Sequence, residues 1–550
     1  MRLALLGCLW LSVGSAWAND LTSPATQSDI EQAQAERLQR IEQAKDSALT
    51  LTPIPTLPPN DAAKSGVCFE LHTIVWSGNT VFDDEKLLDV SGFTPSCLNL
   101  GEMNALLRRV SNHYLEAGYV TSRAYLVPQD LTSGVLEVVI VEGRLEALLM
   151  NGQPELFLRH AFPNAVGQVL NLRDIEQGLD QINRLSRYNA QIELLPGQTQ
   201  GHTIVNIQTR EGRAVNASLG FNNGGQPSTG ETQLSASVRA DNLLDWLEQW
   251  SLSGNKSSAF ASSFDSENLT LSLGVPFGYW SANFRTSYSR YYREFTHQHY
   301  LFDSSGQTNT HTFNLRWLAL RDSVSKTSLN LGLTHRREKN YLLGSLLEGN
   351  SRNLSGVSLT ADHSQRVGRS FWTLSPSLGL GVDWFGGEDD GQKALHEPKA
   401  QYIKGSLTGS VTYLLPTQGS LTSTLFGQWT HDELYGTERL SIGGEYSVRG
   451  FKGASLSGDQ GFYWRNEAEW PLGSAPYFGQ FSARMALDAG HIVDDARDAL
   501  EGGTLAGMGV SLRTHHRYFQ SQLMFAAPLY YPERLKADDY VAYYQLTVLL

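Results

Sequence analysis

The sequence predicts a closed transmembrane β-barrel of about 16 antiparallel strands, preceded by two small α+β domains and an N-terminal helix. Three observations predict this fold. The chain opens with the residue pattern of a signal peptide, a β-α-α-β-β pattern occurs twice between residues 68 and 212, and apolar and polar residues alternate over residues 213–550. A content of 51 glycines and 10% aromatic residues is also typical of a large β-protein with many turns.

Residues 1–18 are predicted to be a signal peptide. A positive charge at Arg2 precedes an apolar stretch over residues 3–13, and residues 16–18 have the small-x-small pattern that precedes a cleavage site. The apolar stretch is shorter than the roughly 20 residues that a membrane-spanning helix needs. We therefore expect a secreted chain that begins near Asn19 after cleavage.

Charge and motif content exclude several functions. The formal net charge of -13 argues against a nucleic-acid partner, because a phosphate backbone selects a basic surface. The sequence contains no Gly-x-Ser-x-Gly, His-Glu-x-x-His or phosphate-loop pattern, so we expect no enzymatic activity and no catalytic residue. The histidines are scattered, and we expect neither a metal site nor a cofactor.

The N-terminal segment, residues 19–48, is predicted to form one helix from residue 26 onward. Ser28 and Glu31 make a capping box, and apolar residues recur at helical spacing on one narrow face. Such a helix is only marginally stable alone. We therefore expect it either to be loosely ordered or to dock as a plug inside a polar cavity. Residues 49–67 are rich in proline, which is typical of an extended linker.

Two units of similar pattern follow, over residues 68–142 and residues 143–212. Two unrelated α+β domains are the alternative to a repeat. In the first unit we predict strands at 69–76, 123–128 and 134–141 and helices at 83–89 and 102–117; in the second, strands at 144–150, 189–195 and 202–210 and helices at 154–160 and 171–187.

The order of elements resembles the POTRA domain. Residues 78–82 are similar to the signature at the start of that domain, and residues 118–124 are similar to part of the signature at its end. In a β-α-α-β-β unit the middle strand lies at the sheet edge, where an extended peptide can add by β-augmentation. The partner-binding residues predicted in the second unit are Asn189, Ala190, Gln191, Ile192, Glu193, Leu194 and Leu195.

Cys68 and Cys97 are the only cysteines beyond the signal peptide. In an oxidising compartment such a pair predicts a disulfide, and a metal site would need more Cys or His nearby. Closing this loop would stabilise the domain by roughly 3 to 4 kcal/mol in the chain-entropy model.

Alternation of apolar and small polar residues dominates residues 213–550, for example over residues 268–275 and 328–334. A soluble sandwich also alternates, but it seldom has so many strands. Backbone groups in lipid must be paired internally, so a secreted chain with this pattern forms a closed barrel among outer-membrane lipids. Residues 540–550 resemble the C-terminal targeting strand of outer-membrane proteins, although Leu550 departs from the usual terminal aromatic residue.

A glycine-rich motif lies in the connection between residues 430 and 461. Its sequence is Gly443-Gly444-Glu445-Tyr446-Ser447-Val448-Arg449-Gly450-Phe451, and residues 458–467 follow it closely. These segments resemble the signature of the TpsB family of two-partner-secretion transporters. The resemblance implies that the tip formed by Val448, Arg449, Gly450 and Phe451 belongs to an extracellular loop that folds back into the barrel.

A guanidinium inside a barrel lumen must be paired, and arginine offers a planar fork for two hydrogen bonds. The proposed partner of Arg449 is Asp488, because the wider superfamily places an acidic residue before a glycine here. The alternative is that Arg449 is an ordinary solvated loop cation.

The family resemblance covers essentially the whole mature chain and implies its function. POTRA domains in the periplasm would recognise one unfolded, TpsA-like secreted partner, and the monomeric barrel would export it across the outer membrane of a Gram-negative bacterium. The partner would be a haemolysin, an adhesin or a contact-dependent toxin, and some family members also activate it. A barrel-assembly factor, a porin and an outer-membrane enzyme are the alternatives.

Overall fold

The computed structural model describes most of the chain. It describes residues 24–49, 57, 67–391, 393–394, 396–416, 418–495 and 502–550. The predicted signal peptide, residues 1–18, and most of the predicted linker, residues 49–67, lie outside this part. Within the linker, the side-chain amide of Asn112 accepts a hydrogen bond from Leu57 N at 2.9 Å and donates one to Leu57 O at 3.3 Å.

Sixteen antiparallel strands close into a barrel, which confirms the predicted fold class. Each strand pairs with the next along the chain, and the last strand pairs with the first. A two-residue strand, Ser345–Leu346, extends the connection between the seventh and eighth strands. In chain order the sixteen are Val215–Asn222, Gln233–Asp241, Gln249–Ser257, Phe264–Phe277, Trp280–His297, Tyr300–Arg321, Ser325–Leu342, Arg352–Val367, Ser370–Val382, Ile403–Leu414, Ser420–Thr430, Gly461–Ala475, Gly479–Ile492, Gly503–His515, Phe519–Tyr530 and Val541–Leu549.

Side chains alternate between the outside and the lumen along each strand, because successive residues of a strand point to opposite faces. In the fourth strand Leu269 is 52% exposed on the outer wall, whereas its neighbour Thr270 is 7% exposed inside. The seventh strand repeats the pattern, with Leu329 outside and Ser328 buried inside. The barrel therefore has an apolar outer wall and a polar lumen, as a barrel in lipid requires.

The first α+β domain packs two helices on a three-stranded sheet. Its helices are Asp84–Ser91 and Leu100–Glu116, and the second begins with a capping box between Asn99 and Glu102. Two separate strands, Cys68–Leu71 and Thr73–Ser77, replace the single strand predicted at 69–76. The sheet has the order Thr73–Ser77, Val135–Val141, Arg123–Leu126.

A strand that the sequence did not predict, Ser96–Asn99, pairs with Cys68–Leu71. The Cys68–Cys97 disulfide joins these two strands, with a Cα–Cα distance of 5.4 Å. That distance lies within the normal range for a disulfide. The bond therefore ties the first residues after the linker to the domain.

A buried carboxylate fixes the turn that opens this domain. Glu142 accepts hydrogen bonds from Thr80 N at 2.7 Å, Val81 N at 2.9 Å and the Tyr114 hydroxyl at 2.9 Å. Burial opposes ionisation of Glu142, but these hydrogen bonds outweigh it and lower the pKa of the carboxyl below its ordinary value. Gly78 makes the turn possible, because it has φ +80° and a Cβ there would lie 2.3 Å from Ile140 O.

Replacing Glu142 by glutamine is expected to destabilise this domain in a pH-dependent way. A carboxyl whose pKa is lowered by folding contributes stability above its unfolded pKa and loses it as the pH falls through the folded value. The Glu142→Gln variant should therefore lose amide-exchange protection in residues 68–142 at pH 7, with a smaller difference from the wild type at pH 3. Hydrogen exchange of the full chain measures this, and an equal difference at both pH values would contradict the assignment.

The second α+β domain has the strands Arg144–Met150, Ala190–Pro196 and His202–Thr209 and the helices Leu158–Ala161 and Leu172–Asn183. The short helix is shorter than the one predicted at 154–160, and the predicted strand at 189–195 lies one residue further along. His202–Thr209 is the central strand, so Ala190–Pro196 lies at an edge of the sheet.

Helix Leu172–Asn183 docks this domain on the turns at one end of the barrel. Asp180 Oδ2 lies 2.7 Å from both Arg321 Nη1 and Lys326 Nζ, at the ends of the sixth and seventh strands beside the turn that joins them. Leu247, from the turn between the second and third strands, is fully buried in the core of the domain. Apolar burial and ion pairs therefore hold the domain at the rim of the barrel.

Candidate functional site: the occluded barrel lumen

An N-terminal helix, Pro24–Leu49, lies inside the barrel, and it confirms the helix predicted from residue 26 onward. Asp29 forms an ion pair with Arg336 of the seventh strand, and Glu36 forms one with Arg285 of the fifth. Both arginines point into the lumen, because they alternate along their strands with apolar residues that are exposed on the outer wall. None of the described helices is both long and apolar enough to cross a membrane.

The same helix also contacts the opposite wall and the connection between the eleventh and twelfth strands. Gln34 Nε2 donates to Ser441 O at 2.8 Å, and Arg37 Nη1 donates to the Tyr463 hydroxyl at 2.8 Å. The Arg37 guanidinium lies 3.5 Å from the ring centroid of Phe426, the geometry of a cation–π contact. The helix therefore crosses the lumen and occludes it.

The motif predicted from the sequence forms the tip of a hairpin inside the barrel. The strands Leu440–Ile442 and Leu456–Gly458 pair with each other, and the motif connects them. Val448 and Phe451 are buried in an apolar cluster with Ile442 and Leu456. This cluster lies in an otherwise polar lumen, so apolar burial holds the loop inside.

The structure places Arg449 against Asp488, the partner proposed from the sequence. Arg449 Nε lies 2.6 Å from Asp488 Oδ2, and Arg449 Nη2 lies 2.6 Å from Oδ1. The third nitrogen, Nη1, contacts Glu467 of the twelfth strand. Arg449 is 2% exposed, so its charge is neutralised by the carboxylates of Asp488 and Glu467 and not by water.

Two glycines let the loop tip approach the wall closely. Gly450 has φ +101°, and a Cβ there would lie 2.6 Å from the carbonyl carbon of Ala527. A Cβ on Gly507 would lie 1.8 Å from Arg449 O. Any larger residue at either position would displace the tip. The atoms that its Cβ would meet belong to the backbone, which cannot move aside as a flexible side chain can. Sequence reasoning found Gly450 in the motif but missed Gly507, which lies in the fourteenth strand.

Further ion pairs continue from the loop tip toward the periplasm. Arg465 donates to Glu445 O at 2.8 Å and to Glu467 Oε1 at 3.0 Å. Arg484 joins Glu467, at 3.3 Å, to Glu469, at 2.6 Å. From the sequence, Glu467 was recognised only as part of the motif, and Arg484 and Glu469 were missed. The feature that could have indicated them is that both are charged residues on the lumen side of neighbouring strands.

The predicted partner-binding strand lies far from this cluster, on the second α+β domain. Strand Ala190–Pro196 is hydrogen-bonded to one neighbouring strand in the described part of the chain. Glu193 accepts from Asn206 at 3.0 Å and from Gln208 at 2.7 Å, so its carboxylate is already satisfied within the sheet. The backbone edge of the strand faces away from that neighbour.

The barrel, the periplasmic domains, the lumen helix and the inward-folded loop together define an outer-membrane protein translocator. Residues 201–514 match the family described as haemolysin secretion/activation protein ShlB/FhaC/HecB. Residues 69–143 match the ShlB-type POTRA domain, and residues 144–196 match another POTRA model. The chain belongs to this family and is an outer-membrane transporter of two-partner secretion, with its POTRA domains in the periplasm.

Individual relatives agree with this assignment over nearly the full chain. The outer membrane transporter CdiB of Dickeya dadantii is 37% identical over 527 residues, covering 95% of this chain and 94% of the relative. The hemolysin transporter protein ShlB of Serratia marcescens is 27% identical and covers 87% and 84%. The solved structure of CdiB from Escherichia coli is 35% identical, with a TM-score of 0.93 and coverage of 96% and 99%.

Proposed function

We propose that the chain exports one large, TpsA-like secreted protein and has no enzymatic activity of its own. The observation that carries this proposal is the occluded lumen, in which a helix and an inward-folded loop obstruct the barrel and are held by side-chain contacts. A passive porin needs no such occlusion. The family match, the two POTRA domains and the lumen helix favour export over the assembly of other barrels.

The second POTRA domain recognises the partner through strand Ala190–Pro196. A free strand edge offers backbone donors and acceptors to an extended peptide whatever its sequence. Arg187 and Tyr188, just before this strand, bond to Asp241 and Asn242 at the barrel rim. A peptide added to this edge is therefore delivered to the mouth of the barrel.

The partner is of the kind carried by the CdiB transporters. The relatives named CdiB from Dickeya dadantii and Escherichia coli are 36–37% identical to this chain, whereas the two hemolysin transporters are 26–27% identical. This similarity favours a partner of the CdiA type over one of the ShlA or HpmA type. Folding of the partner outside the cell supplies the direction of transport, because the sequence has no phosphate-binding loop.

The barrel acts as a monomer among outer-membrane lipids. Each strand edge is paired within the chain, so closure needs no second copy. The exposed side chains of the outer wall, such as Leu269 and Leu329, are apolar and suit a lipid surround.

Co-expression with a candidate TpsA-like secreted protein tests the proposal. We expect that protein in the medium when the chain is present and in the periplasm when it is absent. A matched chain that lacks residues 68–212 should insert in the membrane but leave the partner in the periplasm. Secretion without the chain, or insertion of unrelated barrels that depends on it, would contradict the export function.

A further inference from the structure

A polar cavity lies in the lumen at the periplasmic end of the barrel. It has a volume of about 760 Å³ and is lined by strands eleven to sixteen. The lumen helix makes its ion pairs with Arg285 and Arg336, on the fifth and seventh strands. No described residue of the helix lines this cavity. We call this space the lower cavity.

The lower cavity is lined mainly by neutral hydrogen-bonding side chains, which include Ser420, Gln480, Ser482, Gln520, Gln522 and Gln545. Amide side chains both donate and accept, so they can pair with the N–H or the C=O of an extended backbone. The charged residues Glu469 and Arg513 also line it, but each already has a partner: Arg484 at 2.6 Å and Gln522 at 2.5 Å. The chemistry of the wall fits an extended polypeptide of any sequence.

A second cavity, of about 330 Å³, continues the space toward the cell surface. Glu31 of the lumen helix, Glu445 of the loop and Asn222 of the first strand line it. Gln522 and Gln545 line both cavities. The amide of Gln522 donates to Glu445 Oε1 at 3.4 Å, so the contact between wall and loop lies where the two cavities meet.

We propose that the lower cavity receives the first extended segment of the exported protein beside the lumen helix, before that helix leaves. This inference rests on the proposed export function. A segment that advances from the lower cavity reaches Gln522 and breaks its contact with Glu445, on the loop that carries Arg449. It also passes Glu469, which is joined to Arg449 through Arg484 and Glu467. The exported chain thus meets the loop before it meets the helix.

Thiol modification in planar bilayers locates this path without the partner protein. Gln522→Cys and Gln545→Cys are suitable because Cys68 and Cys97 are bonded to each other and Cys8 lies in the predicted signal peptide. A trimethylammonium-ethyl methanethiosulfonate reagent should lower the resting KCl current of either variant by roughly twofold or more, since it narrows the path. Thr312→Cys is the matched control, because Thr312 pairs with Arg285 on the wall beside the helix.

A flexible Gly-Ser peptide of about 20 residues, added from the periplasmic side, tests the ligand itself. We expect brief blocks of the resting current while the helix is in place, and we expect modification of the cysteine at position 545 to abolish them. Absence of blocks, or equal effects of the reagent at positions 312 and 545, would overturn the proposal. Both measurements omit the partner, so a failure of the export function alone would leave their outcome unchanged.

Discussion

Replacing Arg449 by alanine is expected to abolish most export while the barrel still inserts. The change leaves Asp488 buried without its cation, which costs roughly 3 to 5 kcal/mol and releases the loop tip from the wall. Glu467 keeps its ion pairs with Arg465 and Arg484. The barrel itself depends on backbone pairing between strands and on its apolar outer wall, and neither involves this loop. The measurement is the amount of partner protein in the medium, compared with the amount of barrel folded in the membrane.

The lysine variant separates the charge of Arg449 from its shape. Arg449→Lys keeps the charge but loses the planar fork that reaches Asp488 through Nε and Nη2. It should therefore restore export only in part. Full export by the alanine variant would show that export does not need the contacts of Arg449. Loss of the folded barrel in that variant would show that the loop tip acts in barrel folding and not in export alone.

Deletion of residues 24–49 is expected to raise the resting single-channel conductance several-fold. A helix is about 10 Å across with its side chains, so its removal opens a large part of the lumen to ions. Planar bilayers measure the conductance directly. An unchanged conductance would contradict the placement of this helix in the lumen.

Charge variants of the helix give a milder test of its attachment to the barrel wall. Asp29→Asn combined with Glu36→Gln removes both ion pairs with the wall, and we expect more frequent openings than in the wild type. Glu42→Gln is the matched control, because Glu42 pairs with Lys45 of the same helix. Equal effects of the two changes would mean that the wall contacts do not hold the helix.

The barrel could be predicted from the sequence because lipid imposes a simple rule on every strand. Outward residues must be apolar, and Leu269, Leu271 and Leu273 show this alternation directly. The strand Ser96–Asn99 was missed because four residues are too few to show a period. Its place is set by pairing with a strand that lies about 25 residues earlier, which local pattern does not encode.

The site was predictable only in part. The Arg449 motif is continuous in sequence and resembles a known family, and the same resemblance suggested Asp488. Glu467 and Gly507 are partners of the loop only because the strand register brings them to the height of Arg449. Arg285 and Arg336, the wall contacts of the lumen helix, are each one of several charged residues in their strands. Only the folded barrel shows that these two face the same helix.

The most direct test of the central claim, that export depends on a loop fixed to the wall through Arg449 and Asp488, is a double-mutant cycle. The rate of partner secretion is measured for the wild type, Arg449→Ala, Asp488→Ala and the double variant. If the two side chains act as one pair, the double variant should lose little more than either single variant. Losses that add as logarithms of the rate would show that the residues act independently and would contradict the account.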